Sequence, residues 1–259
     1  GLLLVSCGSI PSVPIPFMGD GRETPAIDIT VARNGGDWTV RYRLPQPATQ
    51  LVFDRSPDDS RTRRWRADPG FEIVSTSDGE VARRQDGAAF KDVRFLMAPA
   101  YHVLPKDYAP FSPFGDGGAL FHSGRFFACA ARCPDDARFS MHVTAPGHIL
   151  IDGNRPVFNA DWTDEGDGRN VYVGETQPLA TPDFIAVFDK ALPGAIRDSL
   201  NSEIPALMRV MTDRLGKLEQ RPVLFASYGV TGDGRWGRQG GALPGQVFMH
   251  FYGDRWPAE

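Results

Sequence analysis

Between residues 24 and 180 no segment shows the three-and-four spacing of an amphipathic helix. Short apolar-polar alternations recur there instead, each closed by glycine, proline or aspartate. Residues 26–31 (AIDITV) alternate, as do 38–44 (WTVRYRL), and Gly35-Gly36-Asp37 between them suits a hairpin turn. Further strand-like runs lie at 51–53, 71–74, 92–97, 119–122, 125–128, 139–143 and 170–173. Strands this short and this closely spaced predict an all-β sandwich over 24–180. The 28 glycines and 22 prolines agree, since they favour frequent turns over long helices.

The texture changes after Thr181-Pro182-Asp183. Residues 184–188 (FIAVF) read as one strand. Ile204, Leu207, Met208, Met211 and Leu215 then fall on one helical face. The expected helix covers 203–215, with Ser202 as N-cap, Pro205 in its first turn and Gly216 as its stop. A separate turn is expected at 196–200, because Pro205 deep inside one helix removes a hydrogen bond. Residues 222–229 read as a buried strand, 230–245 as a glycine-rich loop and 246–252 as a second strand beside the first. Both faces of 246–252 are largely apolar, and the helix covers one. The other face is expected to be covered by the sandwich or by further chain, or to be left exposed. The expected fold is therefore mainly β with a smaller α+β part. It divides into residues 1–23, a β-sandwich at 24–180 and an α+β lobe at 181–259.

A 41% hydrophobic and 23% charged composition is globular, and a net charge of −4 gives no bulk attraction to nucleic acid. The basic run Arg61-Thr62-Arg63-Arg64-Trp65-Arg66 reads as a solvated turn or edge strand. Leu4-Val5-Ser6-Cys7 resembles the lipobox that ends a bacterial lipoprotein signal peptide, which makes Cys7 the expected lipid attachment. The alternative is an ordinary strand with a free cysteine. A proline-spaced tether follows Cys7. This resemblance implies a lipid-anchored protein facing the periplasm of a bacterial envelope, with the membrane as a partner. Cys129 and Cys133 suit a local disulfide or two free thiols better than a metal, because zinc needs four ligands.

A sandwich, a helix, an Arg-Pro strand and then Gly240-Gly241-Ala242-Leu243-Pro244-Gly245 entering an apolar strand resembles the front of a gluzincin metallopeptidase. The groups it is similar to are the aminopeptidase N-like and glycyl aminopeptidase-like enzymes. Phe121-His122-Ser123-Gly124 and Pro146-Gly147 resemble the sandwich of the second group. The resemblance implies that a thermolysin-like catalytic domain begins after the sandwich. It also implies that a peptide substrate lies along Gln239, Gly240, Gly241, Ala242 and Leu243, where glycine permits close backbone approach. Two features depart from it. The glutamate that grips a substrate amino terminus is replaced by Leu243 or Pro244. No histidine begins a His-Glu-x-x-His signature, so no zinc cofactor is expected in this chain. Zinc, and aminopeptidase activity with it, is expected only with a downstream catalytic half. The rival reading is a non-catalytic binding or structural lipoprotein with a sandwich ligand domain.

Asp161, Asp164, Glu165 and Asp167 read as a solvated hairpin tip rather than a calcium loop. Residues 231–237 lack the Lys-Ser/Thr of a phosphate loop, and Ser123 does not sit in a nucleophile elbow.

Overall fold

The structure is a computed structural model that describes residues 26–54, 60–77, 79–100, 111–153, 155 and 157–255. The described chain is mainly β with a small helical part, arranged as three sheets. The nine-stranded sheet runs Trp65–Ala67, Phe90–Met97, Asp37–Ala48, Ile27–Asn34, Arg138–Leu150, Asn170–Gly174, Ala119–His122, Ser112–Pro113, with Val157–Glu165 also paired to Arg138–Leu150. A four-stranded sheet of Ala128–Cys129, Gln50–Phe53, Gly79–Arg84 and Phe71–Thr76 closes the sandwich.

Alternation sets the core between these two sheets. Ile29, Val31, Val40, Tyr42, Val93 and Phe95 point inward from the large sheet, against Leu51, Phe53 and Ala82 from the small one. Arg41, Arg43 and Arg94 take the outward positions and are exposed. The long strand Arg138–Leu150 changes partners midway, at a register shift between Thr144 and His148. Its first part pairs in parallel with Ile27–Asn34, and its end pairs with Asn170–Gly174. Gly147 allows the bend: its φ is 92°, and a Cβ there would lie 2.4 Å from the carbonyl oxygen of Gly174.

The basic run is less solvated than its charge suggests. Ser60–Arg64 is a short helix and Trp65–Ala67 is indeed an edge strand. Arg61, however, is fully buried. Its guanidinium donates to Glu80 at 2.7 Å and to the carbonyl of Arg125, and lies over the rings of Phe53 and Trp65. The carboxylate and the two ring faces make that burial tolerable. Asp164, expected at a solvated tip, is also buried. It accepts from Arg169 Nε at 2.8 Å and Ser123 Oγ at 2.5 Å.

The third sheet is ordered Leu179–Ala180, Ile185–Phe188, Val223–Gly229, Gln246–Gly253, Trp236–Leu243. Its three central strands are parallel. The helix that precedes Val223–Gly229 is one continuous element, Gly194–Leu215, with Pro205 inside it. The expected break and the expected N-cap are both corrected. Ser202 instead donates its hydroxyl to the carbonyl of Ser199 at 3.1 Å. Pro205 deprives only the carbonyl of Asn201 of its helix hydrogen bond, and Asn201 is an exposed residue. Gly216, at φ 86°, ends the helix as expected and donates to the carbonyl of Thr212.

The helix covers one face of this sheet. Leu200 packs with Ala226 and Phe251, and Ile204 and Met208 pack near Phe184 and Leu224. Leu207, Met211 and Leu215, expected on the packed face, are exposed. The packed row is Leu200, Ile204 and Met208, spaced by four and continued by Thr212, which donates to Asp183 at 3.2 Å, so Leu207, Met211 and Leu215 fall to its side. The opposite face is covered by the sandwich, one of the expected alternatives. It needs no outside cover, because Phe225 and Phe248 meet Phe114, Leu120, Leu150 and Tyr172 of the sandwich in one buried cluster.

Candidate functional site

The stretch expected to be a glycine-rich loop is a strand. Trp236–Leu243 pairs antiparallel with Gln246–Gly253, and Pro244-Gly245 forms the two-residue turn, Gly245 at φ 71°. Pairing of Gln246–Gly253 with Val223–Gly229 agrees with the reading from sequence. Trp236–Leu243 is the last strand of its sheet, so among the described residues one edge of its backbone has no strand neighbour. Gln239, Gly240, Gly241, Ala242 and Leu243 all lie on it.

Register explains why the strand is rich in glycine. Gly237 stands opposite Tyr252, and a Cβ there would lie 2.7 Å from the Tyr252 hydroxyl. Gly240 stands opposite Met249, and its Cβ would lie 2.8 Å from the carbonyl oxygen of Phe248. Both glycines therefore let the edge strand close on its neighbour. Cross-strand partners share a face. Trp236, Arg238, Gly240 and Ala242 alternate onto the helix side of the sheet, in the row of Met249 and Phe251. Gln239 shares the sandwich side with His250 and Ser227.

Ser227 and His250 share a 2.5 Å hydrogen bond between Oγ and Nδ1, and both are buried. A serine beside a histidine invites a nucleophilic reading, but here neither reaches solvent. The pair fastens two parallel strands where the sheet faces the sandwich. Burial pushes the imidazole from its ordinary 6.5 down to about 4, so it is neutral in the folded chain. The unfolded chain takes up a proton below 6.5 that the folded chain refuses. Stability from this site is thus complete above pH 6.5 and declines as pH falls toward 4, by about 3 kcal/mol in all. Urea titrations at pH 7 and pH 4 should show that extra loss in the wild type and not in His250→Asn. An equal acid loss in both proteins would refute the assignment.

Polar bonds fix the sheet against the sandwich. Gln246 accepts the backbone N–H of Asn170 at 2.9 Å and donates to Asp152 at 2.7 Å. Asp189, fully buried, accepts backbone N–H groups of Gly115 and Ala191, each at 2.9 Å. Burial pushes its carboxyl up. The edge strand is therefore mounted on a rigid base.

Cys129 and Cys133 form a disulfide with Cα atoms 5.2 Å apart, the local pairing that was one of the two expected states. Cys7 lies outside the described residues. No group of three or more His, Cys, Asp or Glu side chains among the described residues is arranged to hold a metal ion. With no His-Glu-x-x-His in the sequence either, the residues present do not fit the zinc that the resemblance implies. No described helix is long and apolar enough to cross a membrane.

No protein-family profile matches the chain, and no curated protein matches its sequence. Among solved structures it is similar to an aminopeptidase N family protein from Idiomarina loihiensis, with a TM-score of 0.49 and 9% identity over 90% of this chain. The match covers 44% of that protein, so this chain spans less than half its length. The sequence did not single out Trp236 and Arg238. No alternation marks 236–243, whose three glycines read as a loop; only the pairing with Gln246–Gly253 places these two side chains on a strand.

Proposed function

We propose that this chain is the substrate-presenting amino-terminal region of a membrane-anchored, metallopeptidase-like protein. In this reading the open edge of Trp236–Leu243 takes an extended peptide. The observation that carries it is the position of that strand, last in its sheet and mounted on a base of buried polar bonds. Extended peptides add to such edges through main-chain hydrogen bonds. Gly240 and Ala242 put little side chain beside the incoming backbone. Hydrolysis would require zinc ligands from outside this sequence, so the role assigned to the chain itself is binding and alignment.

Attachment through an acylated Cys7 and a periplasmic location belong to the same proposal. The Cys129–Cys133 disulfide supports an oxidising compartment.

Proline distinguishes an edge that binds from one that only closes a hairpin. Successive N–H groups of a strand point to opposite sides, so Gly240→Pro and Gly241→Pro remove one outward and one inward donor. Binding of a capped threonine-valine heptapeptide, followed by tryptophan fluorescence, should fall about three- to tenfold in the variant lacking the outward donor, the cost of about one main-chain hydrogen bond. Unchanged binding in both variants, with the fold intact by circular dichroism, would remove the edge from consideration.

A further inference from the structure

The edge strand carries one charge, Arg238, and it is exposed. Arg235, on the turn before it, is held by Asp233 at 2.6 Å. Arg238 is exposed and has no ion-pair or hydrogen-bond partner among the described residues. It stands opposite Phe251, which is buried, so the charge lies beside an apolar wall. Two residues earlier, on the same side of the sheet, Trp236 is 57% exposed. Beyond Arg238 the positions on that side are Gly240 and Ala242, which leave the space above the strand open.

From this arrangement we infer that the edge is selective, and that it takes extended peptides with an acidic side chain at the position paired with Arg238. The inference rests on the peptide-edge reading above and adds the chemistry of the occupant. A peptide strand added to the edge puts one residue opposite Arg238. Its side chain falls on the same face, about 4.5–5.5 Å away between Cβ atoms. A carboxylate there meets a guanidinium that no described carboxylate pairs with, and the neighbouring buried phenylalanine lowers the local dielectric. The peptide residue two positions along, on the Trp236 side, falls against the indole, which favours an apolar or aromatic side chain. Gly240 and Ala242 impose no preference at the far end. Arg238 is thus a specificity-determining residue rather than a structural one.

The test uses the full 259-residue chain and three capped heptapeptides of alternating threonine and valine. They differ only in a central glutamate, glutamine or lysine. Binding of the glutamate peptide should be about three- to fivefold tighter than that of the glutamine peptide, the upper part of the range for an opposite-charge cross-strand pair, with lysine weakest. The order should flatten in 1 M salt and invert in Arg238→Glu, an exposed position where the charge change leaves folding intact. Three peptides bound equally, before and after the charge reversal, would remove Arg238 from recognition while leaving the peptide edge in place. Binding of none of them would defeat the edge reading itself, and the selectivity with it.

Discussion

Phe248→Ala should destabilise the chain by about 3–5 kcal/mol, measured by urea unfolding at neutral pH. Phe248 is 3% exposed and sits in a buried cluster that joins the third sheet to the sandwich. Its neighbours come from both sides: Val223 and Phe225 from the sheet, Phe114, Leu150 and Tyr172 from the sandwich. Deleting the ring removes the transfer free energy of a large aromatic and leaves a cavity between two sheets. Those sheets cannot close on it, because Gln246 and Asp189 hold their spacing. The peptide edge should suffer too, since Phe248 stands opposite Gly241 in the edge strand. A loss below about 1 kcal/mol would mean that the interface is loosely packed.

Glu80→Ala should cost about as much, 3–5 kcal/mol, for a different reason. Glu80 and Arg61 are both buried and bonded at 2.7 Å, and Glu80 also accepts from the backbone N–H and hydroxyl of Thr62. Removing the carboxylate strands a guanidinium among Phe53, Trp65 and the Arg125 carbonyl, where it cannot deprotonate and water does not reach. Arg61→Met combined with Glu80→Leu should recover most of the loss, because the replacement is apolar and of similar length. A single Glu80→Ala variant as stable as the wild type would show that Arg61 finds water or another acceptor.

Much of the sandwich was legible because its strands obey a period of two with glycine at the turns, as in 26–31 and 38–44. Gly79–Arg84 and Val157–Glu165 escaped notice. The first carries only Val81 and Ala82 between charges, and the second is dominated by polar residues that face solvent or pair locally. Arg61 and Asp164 were misread for a shared reason. Sequence reports a charge but not its partner, and each has one at a distance along the chain, Glu80 for Arg61 and Ser123 for Asp164. Pro205 was read as a boundary by local rules, yet packing of Leu200, Ile204 and Met208 onto the sheet holds the helix through it. At the candidate site, the strand 246–252 and its partner were visible as apolar runs. The edge strand was not, because Gly237 and Gly240 answer to Tyr252 and to the Phe248 carbonyl, contacts that only the register reveals.

The peptide-binding edge is tested most directly by amide chemical-shift mapping of the isotope-labelled chain titrated with the glutamate-centred heptapeptide. The expected shifts concentrate on alternate residues of Trp236–Leu243, those whose N–H groups face outward, with smaller changes along Gln246–Gly253 and none in the sandwich. Shifts centred elsewhere, or a saturating titration that leaves residues 236–243 unmoved, would contradict the assignment of this edge as the binding site.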